Sequence, residues 1–331
     1  MSIVPVAFVC PACQGPVTEA SAAFACAACG RRYPVVAGIA DFRLAPDPWI
    51  SLEDDRAKGC RLQEVTAGAD FETTVRAYWQ MTPSTEASVA ARFIDHVLGA
   101  TPRTREWLER VVPEAMAPVG PWLDLGCGTA DMAEAAPPGQ TVIGIDVAFR
   151  WLIAARTRLR AAGRPAWLVC CNAEHLPFPA RAFARVLSLG LLEHSVDPHP
   201  VFAEAARVLV PGGRVAMRSV NRFSLLSEPH VGVWGVGFVP RPWADGYVRW
   251  RSGQRYLHHR PVSAGELRSA ARRAGLADVA VRPARLLSHD RARLGSLGYL
   301  AAPYETLSGL PLVGNALTWV TPLVETIGRA V

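Results

Sequence analysis

The sequence predicts an α/β protein built on a doubly wound parallel sheet, with a small N-terminal metal-binding unit and a C-terminal insertion. Three observations support this prediction: short apolar runs that stop at an acidic residue, helical segments between those runs, and two Cys-x-x-Cys pairs near the start of the chain. Strands that alternate with helices over this length are typical of a parallel sheet covered by helices on both faces.

Three regions divide the 331-residue chain. Residues 1–45 hold the cysteine pairs, and residues 46–75 are acidic and irregular, which predicts a linker. Residues 76–331 form the predicted α/β domain, and residues 221–260 and 290–320 within it are expected to be lid or substrate elements. Half of all residues are apolar, so the chain can bury a large core.

Strand and helix signals follow one another along the α/β region. A helical pattern over residues 71–112 comes before the first strand, and the sequence after residue 260 predicts a further helix and strand. The last apolar run, residues 322–331, is expected to form an edge strand. The predicted strands up to residue 220 are WLDLG, TVIGID, RVLSLGLL and GRVAMRSV, and residues 149–162 and 201–210 are the helices between them.

The net charge of this protein does not identify the class of its partners. The net charge of +6 permits an anionic partner, but Lys58 is the only lysine, and the excess of Arg, Ala, Gly and Pro is typical of a GC-rich genome. We find no apolar stretch of about 18 residues, which a membrane span requires. The N-terminus lacks the pattern of a secretory signal. Four of the eight cysteines have no regular spacing and a chain this long needs no disulfide staples, so a reducing, cytoplasmic protein is expected.

Four cysteines form an ordered cluster, Cys10-x-x-Cys13 and Cys26-x-x-Cys29. Four thiolates close tetrahedrally around one zinc ion and leave no open position, so the predicted site is structural. A disulfide pair, a redox motif and a rubredoxin-like iron site are the alternatives. The segment resembles the zinc-ribbon protein that activates tRNA, rRNA and protein methyltransferases, and also the ribbon of bacterial rRNA guanine methyltransferases. This resemblance implies that the ribbon covers a flank of the larger domain or shapes its substrate entrance.

The first predicted strand of the α/β domain leads into a glycine turn. Asp124 lies in this strand, and Gly126, Cys127 and Gly128 follow it. The second strand ends in Asp146, where a carboxylate can accept hydrogen bonds from ribose hydroxyls. A dinucleotide-binding loop would have a third glycine and a pyrophosphate-binding helix start, which this sequence lacks.

Four motifs in order, WLDLGCGTA, TVIGID, CNAEHLPFP and RVLSLGLLEH, resemble the class I S-adenosylmethionine-dependent methyltransferases. The resemblance covers residues 75–220 and is strongest to the branch that includes ubiquinone and menaquinone biosynthesis enzymes. It implies a Rossmann-like methyltransferase sheet with S-adenosylmethionine as the cofactor.

The resemblance also implies roles for individual residues. Asp124, Gly126 and Gly128 line the methionine and ribose end of the cofactor, and Asp146 holds the ribose. Cys127 lies within that loop and is predicted with it as a cofactor-binding residue, and the simpler interpretation is that it is a small packing residue. The other matched positions are Val147 and Asn172-Ala173 at the adenine, Tyr78 as an aromatic cover, and Leu189 and His194 beside the sulfonium. The family usually has Asp-Ala where this chain has Asn172-Ala173, so the orientation of the asparagine amide becomes important.

Methyl transfer to an oxygen also needs a base near neutral pH. His194 is the predicted catalytic residue because of its place in the LLEH motif. Other candidate bases are His199, His230, His258 and His259, with Tyr247 and Tyr256 as orienting groups.

Residues 221–260 combine aromatic side chains with arginines, which fits either stacking on RNA bases or a pocket for a glycosylated, acidic or lipid-linked molecule. The leading hypothesis is an O- or N-methyltransferase that acts on a small molecule of a sugar, lipid or natural-product pathway. The alternatives are an rRNA or tRNA methyltransferase and a binding protein that has lost turnover. The apolar C-terminal residues are predicted to pack on the lid, with contact to a membrane surface as the alternative.

Overall fold

The computed structural model describes residues 4–20, 22–82, 85, 87–113, 120–293 and 295–331. Helices and strands alternate as predicted, and the mixed α/β class is confirmed. The chain divides into two compact units, Met1–Val186 and Leu187–Val331.

The first unit contains seven complete strands and six helices within the described residues. The strands are β1 (Val17–Ala20), β2 (Ala23–Cys26), β3 (Arg32–Val36), β4 (Ile39–Asp41), β5 (Trp122–Leu125), β6 (Val142–Asp146) and β7 (Leu168–Cys170). The helices are α1 (Leu52–Val65), α2 (Phe71–Gln80), α3 (Ala87–Leu98), α4 (Ala100–Val111), α5 (Asp131–Ala135) and α6 (Phe149–Ala161).

The strands of the first unit lie in the order β1-β2-β3-β4-β7-β6-β5. Strands β4, β7, β6 and β5 pair in parallel, and Leu123 lies opposite Ile143 in the β5–β6 register. Helix α6 packs against both α1 and α2, and α5 packs against α4. A buried parallel sheet with helices against it, as the apolar runs predicted, therefore forms the core of this unit.

The cysteine-rich segment is continuous with this sheet. β1, β2 and β3 are antiparallel, and β4 turns back from β3 to lie parallel to β7, with Ala40 opposite Val169. The backbone N–H of Val9 donates to the carbonyl of Pro177 at 3.0 Å. Residues 1–45 were predicted as a separate ribbon, but their last strand extends the sheet of the larger domain.

The predicted linker over residues 46–75 is wrong, because helix α1 and the first half of α2 occupy most of it. Ser51 caps the helix by accepting a hydrogen bond from the backbone N–H of Asp54 at 3.1 Å. A Cβ atom added at Gly59 would lie 2.5 Å from Cδ1 of Phe149, so α1 packs very closely on α6. Three acidic residues of this segment lie in the first turn of the helix, where their negative charges interact favourably with the positive end of the helix dipole. They are Glu53, Asp54 and Asp55.

Strand β8 (Phe183–Leu189) crosses the boundary between the units. Near its start, the N–H of Ala184 donates to the carbonyl of Pro121 in the first unit at 2.9 Å. Just after its end, the N–H of Gly190 donates to the carbonyl of Arg218 in the second unit at 2.9 Å.

The second unit contains an antiparallel sheet in the order β9-β11-β10. The final strand, β11, pairs with a neighbour on each side, so the prediction that it forms an edge strand is wrong. The strands of the second unit are β9 (Leu209–Val220), β10 (Ala277–Pro283) and β11 (Leu323–Arg329). Its helices are α7 (Pro198–Val208), α8 (Ala244–Ser252), α9 (Ala264–Arg273), α10 (Ser288–Arg293), α11 (Ala301–Gly309) and α12 (Pro311–Leu317). Short 3-10 turns lie at Leu192–His194, Val236–Phe238, Arg241–Trp243 and Gly295–Leu300.

The start of the predicted lid is tied to the C-terminal residues. The Asn221 side-chain amide donates to the carbonyls of Thr318 and Thr321, at 3.0 and 2.8 Å, and the N–H of Leu225 donates to the carbonyl of Val320 at 3.1 Å. This contact agrees with the predicted packing of the final segment on residues 221–260. Among the described helices, none is both long and apolar enough to span a bilayer.

Candidate functional site

A glycine loop in the first unit connects β5 to α5. Gly126 and Gly128 have φ angles of 70° and 49°, a region that strains residues with a side chain. A Cβ atom added at Gly128 would have no heavy atom of the described chain within 4 Å. The backbone of this loop is therefore open to close approach by a ligand.

Asp146 at the end of β6 holds this loop in place. Its Oδ2 accepts a hydrogen bond from the N–H of Gly128 at 2.8 Å, and its Oδ1 accepts one from the N–H of Ala148 at 2.8 Å. Each carboxylate oxygen can accept a second hydrogen bond, such as one from a ribose hydroxyl. Asp146 thus lies beside the glycine loop as the sequence predicted, while its role toward a ribose stays a prediction.

Three carboxyl groups lie near one another around the loop. Burial raises the pKa of Asp124 well above its usual value, and the nearby charges of Asp131 and Asp146 raise it further. The Asp131 carboxylate accepts a hydrogen bond from the hydroxyl of Thr104 on α4. Like charges held together in this way favour a bound cation. S-adenosylmethionine carries an ammonium and a sulfonium group, so the donor set fits this cofactor.

Cys127 fills the space between the loop and β6. It is 4% exposed, and its N–H donates to the carbonyl of Ile145 at 2.8 Å. A Cβ atom added at Gly144 would lie 2.8 Å from the Cys127 Sγ, closer than real contacts allow. Burial raises the pKa of this thiol well above its usual value, so it remains protonated. These contacts agree with the packing role that the sequence predicted for Cys127.

Asn172 contacts the backbone that follows β4. Its Oδ1 accepts hydrogen bonds from the N–H groups of Leu44 at 2.9 Å and Ala45 at 3.2 Å, and its Nδ2 donates to the Ala45 carbonyl at 3.2 Å. An aspartate could accept the first two hydrogen bonds but could not donate the third. The neighbouring Ala173 is buried. The contact of Asn172 and Ala173 with an adenine stays a prediction.

A buried ion cluster, which no sequence motif predicted, holds the residues after Asp146. The Arg43 side chain is fully buried and donates to both oxygens of Asp41, at 2.9 and 2.6 Å. It also donates to Oδ2 of Asp55 at 2.6 Å and to the carbonyl of Val147 at 2.9 Å. Burial raises the pKa of Asp41, but Arg43 and Arg56 outweigh burial and hold it below its usual value. The available signal was a charged pair, Asp41-x-Arg43, in the otherwise apolar run GIADFRL.

The same cluster fixes the start of α6. Arg150 donates to Asp47 at 2.7 Å and to Asp55 at 2.8 Å, and Asp55 also accepts a hydrogen bond from the N–H of Phe149 at 2.8 Å. Residues from three segments, after β4, in α1 and at the start of α6, therefore share one buried network. This network makes Arg43, Asp55 and Arg150 positioning residues for the loop that Asp146 begins.

Tyr78 lies in α2 and packs against α6. Its ring centroid is 4.3 Å from that of Trp151, and its hydroxyl oxygen accepts a hydrogen bond from Nε of Arg150 at 3.4 Å. The ammonium of Lys58 lies 4.5 Å from the centre of the ring. These contacts give Tyr78 a packing environment, and its predicted role as a cover over the cofactor stays a prediction.

The four cysteines of the N-terminal cluster come together as the sequence predicted. Their Sγ atoms all lie within 4.8 Å of one another, and the Cys10–Cys29 and Cys13–Cys26 pairs are both 3.6 Å apart. A tetrahedral zinc ion with bonds of about 2.3 Å would place its sulfurs about 3.8 Å apart, so the geometry fits zinc.

Two matching turns present these sulfurs. The N–H of Gln14 donates to the carbonyl of Cys10 at 2.7 Å, and the N–H of Gly30 donates to that of Cys26 at 3.0 Å. The hydroxyl of Tyr33 contacts Sγ of Cys10 at 3.0 Å. Burial raises the pKa of Cys10, but hydrogen bonds from Tyr33 and the backbone outweigh burial and lower it, which favours the thiolate.

The second unit contains Leu189 and His194. Leu189 ends β8 and is half-buried, and His194 is exposed in the turn that follows. His194 lies beside His230 and His259, with ring centroids 5.3 and 5.2 Å away, and the rings of His230 and His259 are 4.1 Å apart. The structure thus brings together three of the five candidate bases, whereas His199 lies in the first turn of α7.

Buried acidic residues surround this histidine cluster. Oε1 of Glu228 lies 2.5 Å from Nδ1 of His230, and Glu193 is 4% exposed. Burial lowers the pKa of His230, but Glu228 and Glu193 outweigh burial and raise it above its usual value. Burial and the neighbouring histidines lower the pKa of His259 to about 3, so its ring is neutral at neutral pH. The predicted orienting residue Tyr256 is also present, with its ring 5.8 Å from that of His259.

Part of the chain is similar to known methyltransferases. Residues 123–217 match the family model described as a methyltransferase domain. The chain is 32% identical over 161 residues to a ubiquinone biosynthesis O-methyltransferase of Idiomarina loihiensis, a match that covers 48% of this chain and 62% of the relative. It is 33% identical over 160 residues to a ubiquinone/menaquinone biosynthesis C-methyltransferase of Burkholderia mallei, covering 46% and 65%. The chain thus spans less than two thirds of these relatives.

Among solved structures, the chain is similar to geranyl diphosphate C-methyltransferase of Streptomyces coelicolor. The TM-score is 0.45 at 17% sequence identity, and the match covers 78% of this chain and 84% of the other.

Proposed function

We propose that this chain, which contains a class I S-adenosylmethionine-dependent methyltransferase domain, transfers a methyl group from S-adenosylmethionine to a small-molecule acceptor. The observation that carries the proposal is the match of residues 123–217 to the methyltransferase model, since those residues contain the glycine loop and Asp146. The names of the relatives, which refer to ubiquinone and menaquinone biosynthesis, support a small-molecule acceptor.

The residues that we assign to binding of the methyl donor lie in the first unit. Bound S-adenosylmethionine supplies a methyl group on a sulfonium, which is already a good leaving group. Asp146 holds the ribose through the lone pairs that Gly128 and Ala148 leave available. The carboxylates of Asp124 and Asp131 favour the positive charge of the cofactor, and Val147 and Ala173 line the adenine.

The acceptor half requires alignment of the nucleophile with the methyl group and exclusion of water. Where the nucleophile is a hydroxyl, its proton must also be removed. His194 is our predicted residue for this side, and it lies in the histidine cluster of the second unit.

Calorimetric titration with S-adenosylmethionine tests the donor assignment. Asp146→Ala removes charge-assisted hydrogen bonds worth about 1.5–3 kcal/mol, which corresponds to a loss of affinity of roughly 10- to 150-fold. Asp95→Ala, an exposed aspartate on α3, is the matched control and should bind as the wild type does. Melting temperatures of both variants establish that they fold. Unchanged affinity in folded Asp146→Ala would refute the assignment.

Incubation with labelled S-adenosylmethionine and bacterial extract tests the acceptor class. The label should appear in the small-molecule fraction after deproteinisation and removal of nucleic acid. Label in the RNA fraction would overturn the small-molecule acceptor in favour of an RNA methyltransferase. Absence of both cofactor binding and transfer would overturn the enzymatic proposal itself.

A further inference from the structure

The histidine cluster of the second unit has the composition of a metal site. His194, His230 and His259 each offer a ring nitrogen, and these three atoms lie within 4.8 Å of one another. The residues come from three separate segments: the turn after β8, the first part of the insertion, and the segment after α8. The fold therefore brings together three imidazoles that lie far apart in the sequence.

A carboxylate orients one of these rings. Oε1 of Glu228 lies 2.5 Å from Nδ1 of His230, and Oε2 of Glu228 accepts hydrogen bonds from the N–H groups of His230 and Val231 at 2.8 and 3.0 Å. Glu228 is itself fixed, because its carbonyl accepts a hydrogen bond from Gly232 at 2.8 Å. When Nδ1 donates to a carboxylate, Nε2 carries the free lone pair, which is the arrangement found behind metal-binding histidines.

Two buried polar atoms beside the cluster lack a hydrogen-bond partner in the described part of the chain. They are Oε2 of Glu193 and the hydroxyl of Tyr256, whose residues are 4% and 8% exposed. Buried polar atoms are normally satisfied, so such a pair indicates a ligand, an ion or ordered water at the site.

We propose that His194, His230 and His259 bind one divalent transition-metal ion, with Glu228 as the positioning carboxylate. Imidazole ligands favour zinc and its first-row neighbours over magnesium and calcium. A tetrahedral ion with bonds of about 2.1 Å requires nitrogens about 3.4 Å apart. The three ring nitrogens already lie within 4.8 Å of one another, so binding requires only a small approach of the rings. This site is distinct from the four cysteines and does not depend on the proposed methyl transfer. Where the ion is bound, the His194 nitrogen that coordinates it does not also serve as the base on the acceptor side.

Three protein ligands leave the fourth tetrahedral position open, unlike the closed four-cysteine site. An open position binds water or an oxygen or nitrogen of a small molecule. The ligand class that this site selects is therefore a molecule with a hydroxyl, carboxylate or amine that can coordinate the ion.

Cobalt titration of the full-length, chelator-treated protein separates the two metal sites. Cobalt bound by thiolates gives strong near-ultraviolet charge-transfer bands, whereas cobalt bound by imidazoles gives only weak visible bands. The cysteine variant Cys13→Ser, which leaves three thiolates, should weaken the strong bands and retain the weak ones unchanged. His259→Ala should do the reverse, and its metal content after equilibration with zinc should be one ion per chain lower than that of the wild type.

Two further variants keep the test decisive. His199→Ala, on α7 of the same unit, is the matched control and should retain the full metal content. Glu228→Gln preserves the size of the side chain and should weaken cobalt affinity roughly 10- to 100-fold at an unchanged melting temperature, even where His259→Ala does not fold. Wild-type metal content and cobalt spectra in folded His259→Ala, or wild-type cobalt affinity in folded Glu228→Gln, would overturn the proposal.

Discussion

Replacing Arg43 by methionine tests whether the buried ion cluster stabilises the first unit. The guanidinium is fully buried and makes hydrogen bonds to Asp41, Asp55 and the carbonyl of Val147. Methionine fills a similar volume but leaves both carboxylates with less compensation, although Asp41 keeps Arg56 and Asp55 keeps Arg150. Removing one partner of a buried ion pair typically costs about 3–5 kcal/mol, which we expect for Arg43→Met.

Denaturant unfolding and calorimetry measure this cost. At roughly 2–4 °C per kcal/mol for a domain of this size, the melting temperature should fall on the order of 10 °C. The matched control is Arg76→Met on α2, whose ion pair with Glu72 is more than half exposed on both sides and should be worth about 0–1 kcal/mol. If both variants lose the same small amount of stability, the buried cluster does not have the role that we assign to it.

The pH dependence of this difference has a defined sign. The pKa of Asp41 is lowered in the folded protein, so its contribution is fully present above the unfolded value of about 3.9 and is lost as pH falls through the lower folded value. The stability gap between wild type and Arg43→Met should therefore narrow in that acidic range. A gap that widens as pH falls would contradict the assignment.

Two further predictions concern the glycine loop. Gly144→Ala places a Cβ atom 2.8 Å from Sγ of Cys127 and should destabilise the protein by about 1–3 kcal/mol in denaturant unfolding; Cys127→Ala should partly restore stability, and Gly246→Ala, where the added atom has open space, is the control. Affinity for S-adenosylmethionine, measured by calorimetry over a pH series, should fall as pH decreases through the raised pKa of Asp124, because that carboxyl then becomes neutral and loses its attraction for the cation. An affinity independent of pH would count against the ionised acid cluster as the cation site.

The sequence alone was sufficient to predict the sites whose residue types and spacing both indicate the same chemistry. The four cysteines converge because paired Cys-x-x-Cys turns each present two sulfurs, and Asp146 lies beside the glycine loop because parallel strands end at the same edge of a sheet. The short apolar runs likewise predicted β5 and β6, since fully buried parallel strands need apolar residues on both faces.

The linker prediction failed because residues 46–75 expose mainly polar side chains, and because charged side chains make the contacts that bury this segment. Asp55 is buried only because Arg43 and Arg150, which are distant in the sequence, neutralise it. Composition alone cannot reveal such a pairing, since an isolated carboxylate is expected to be exposed. The edge-strand prediction failed for a related reason: the position of β11 between β9 and β10 depends on its pairing with β9, which lies more than a hundred residues earlier.

The path of the chain after β4 explains why an asparagine occupies position 172. Because β4 lies parallel to β7, residues 44 and 45 emerge at the same edge of the sheet as Asn172, and Ala45 presents both an N–H and a carbonyl to that side chain. Only an amide can satisfy both groups, whereas an aspartate would place a negative charge against the carbonyl oxygen. Arg43, from the same segment, holds the carbonyl of Val147 one residue beyond Asp146. The cysteine-rich segment thus fixes, through β4 and the three residues after Phe42, two of the loops proposed to hold the nucleoside of the cofactor. This arrangement gives the segment a structural reason to be part of the same chain as the domain proposed to bind the cofactor.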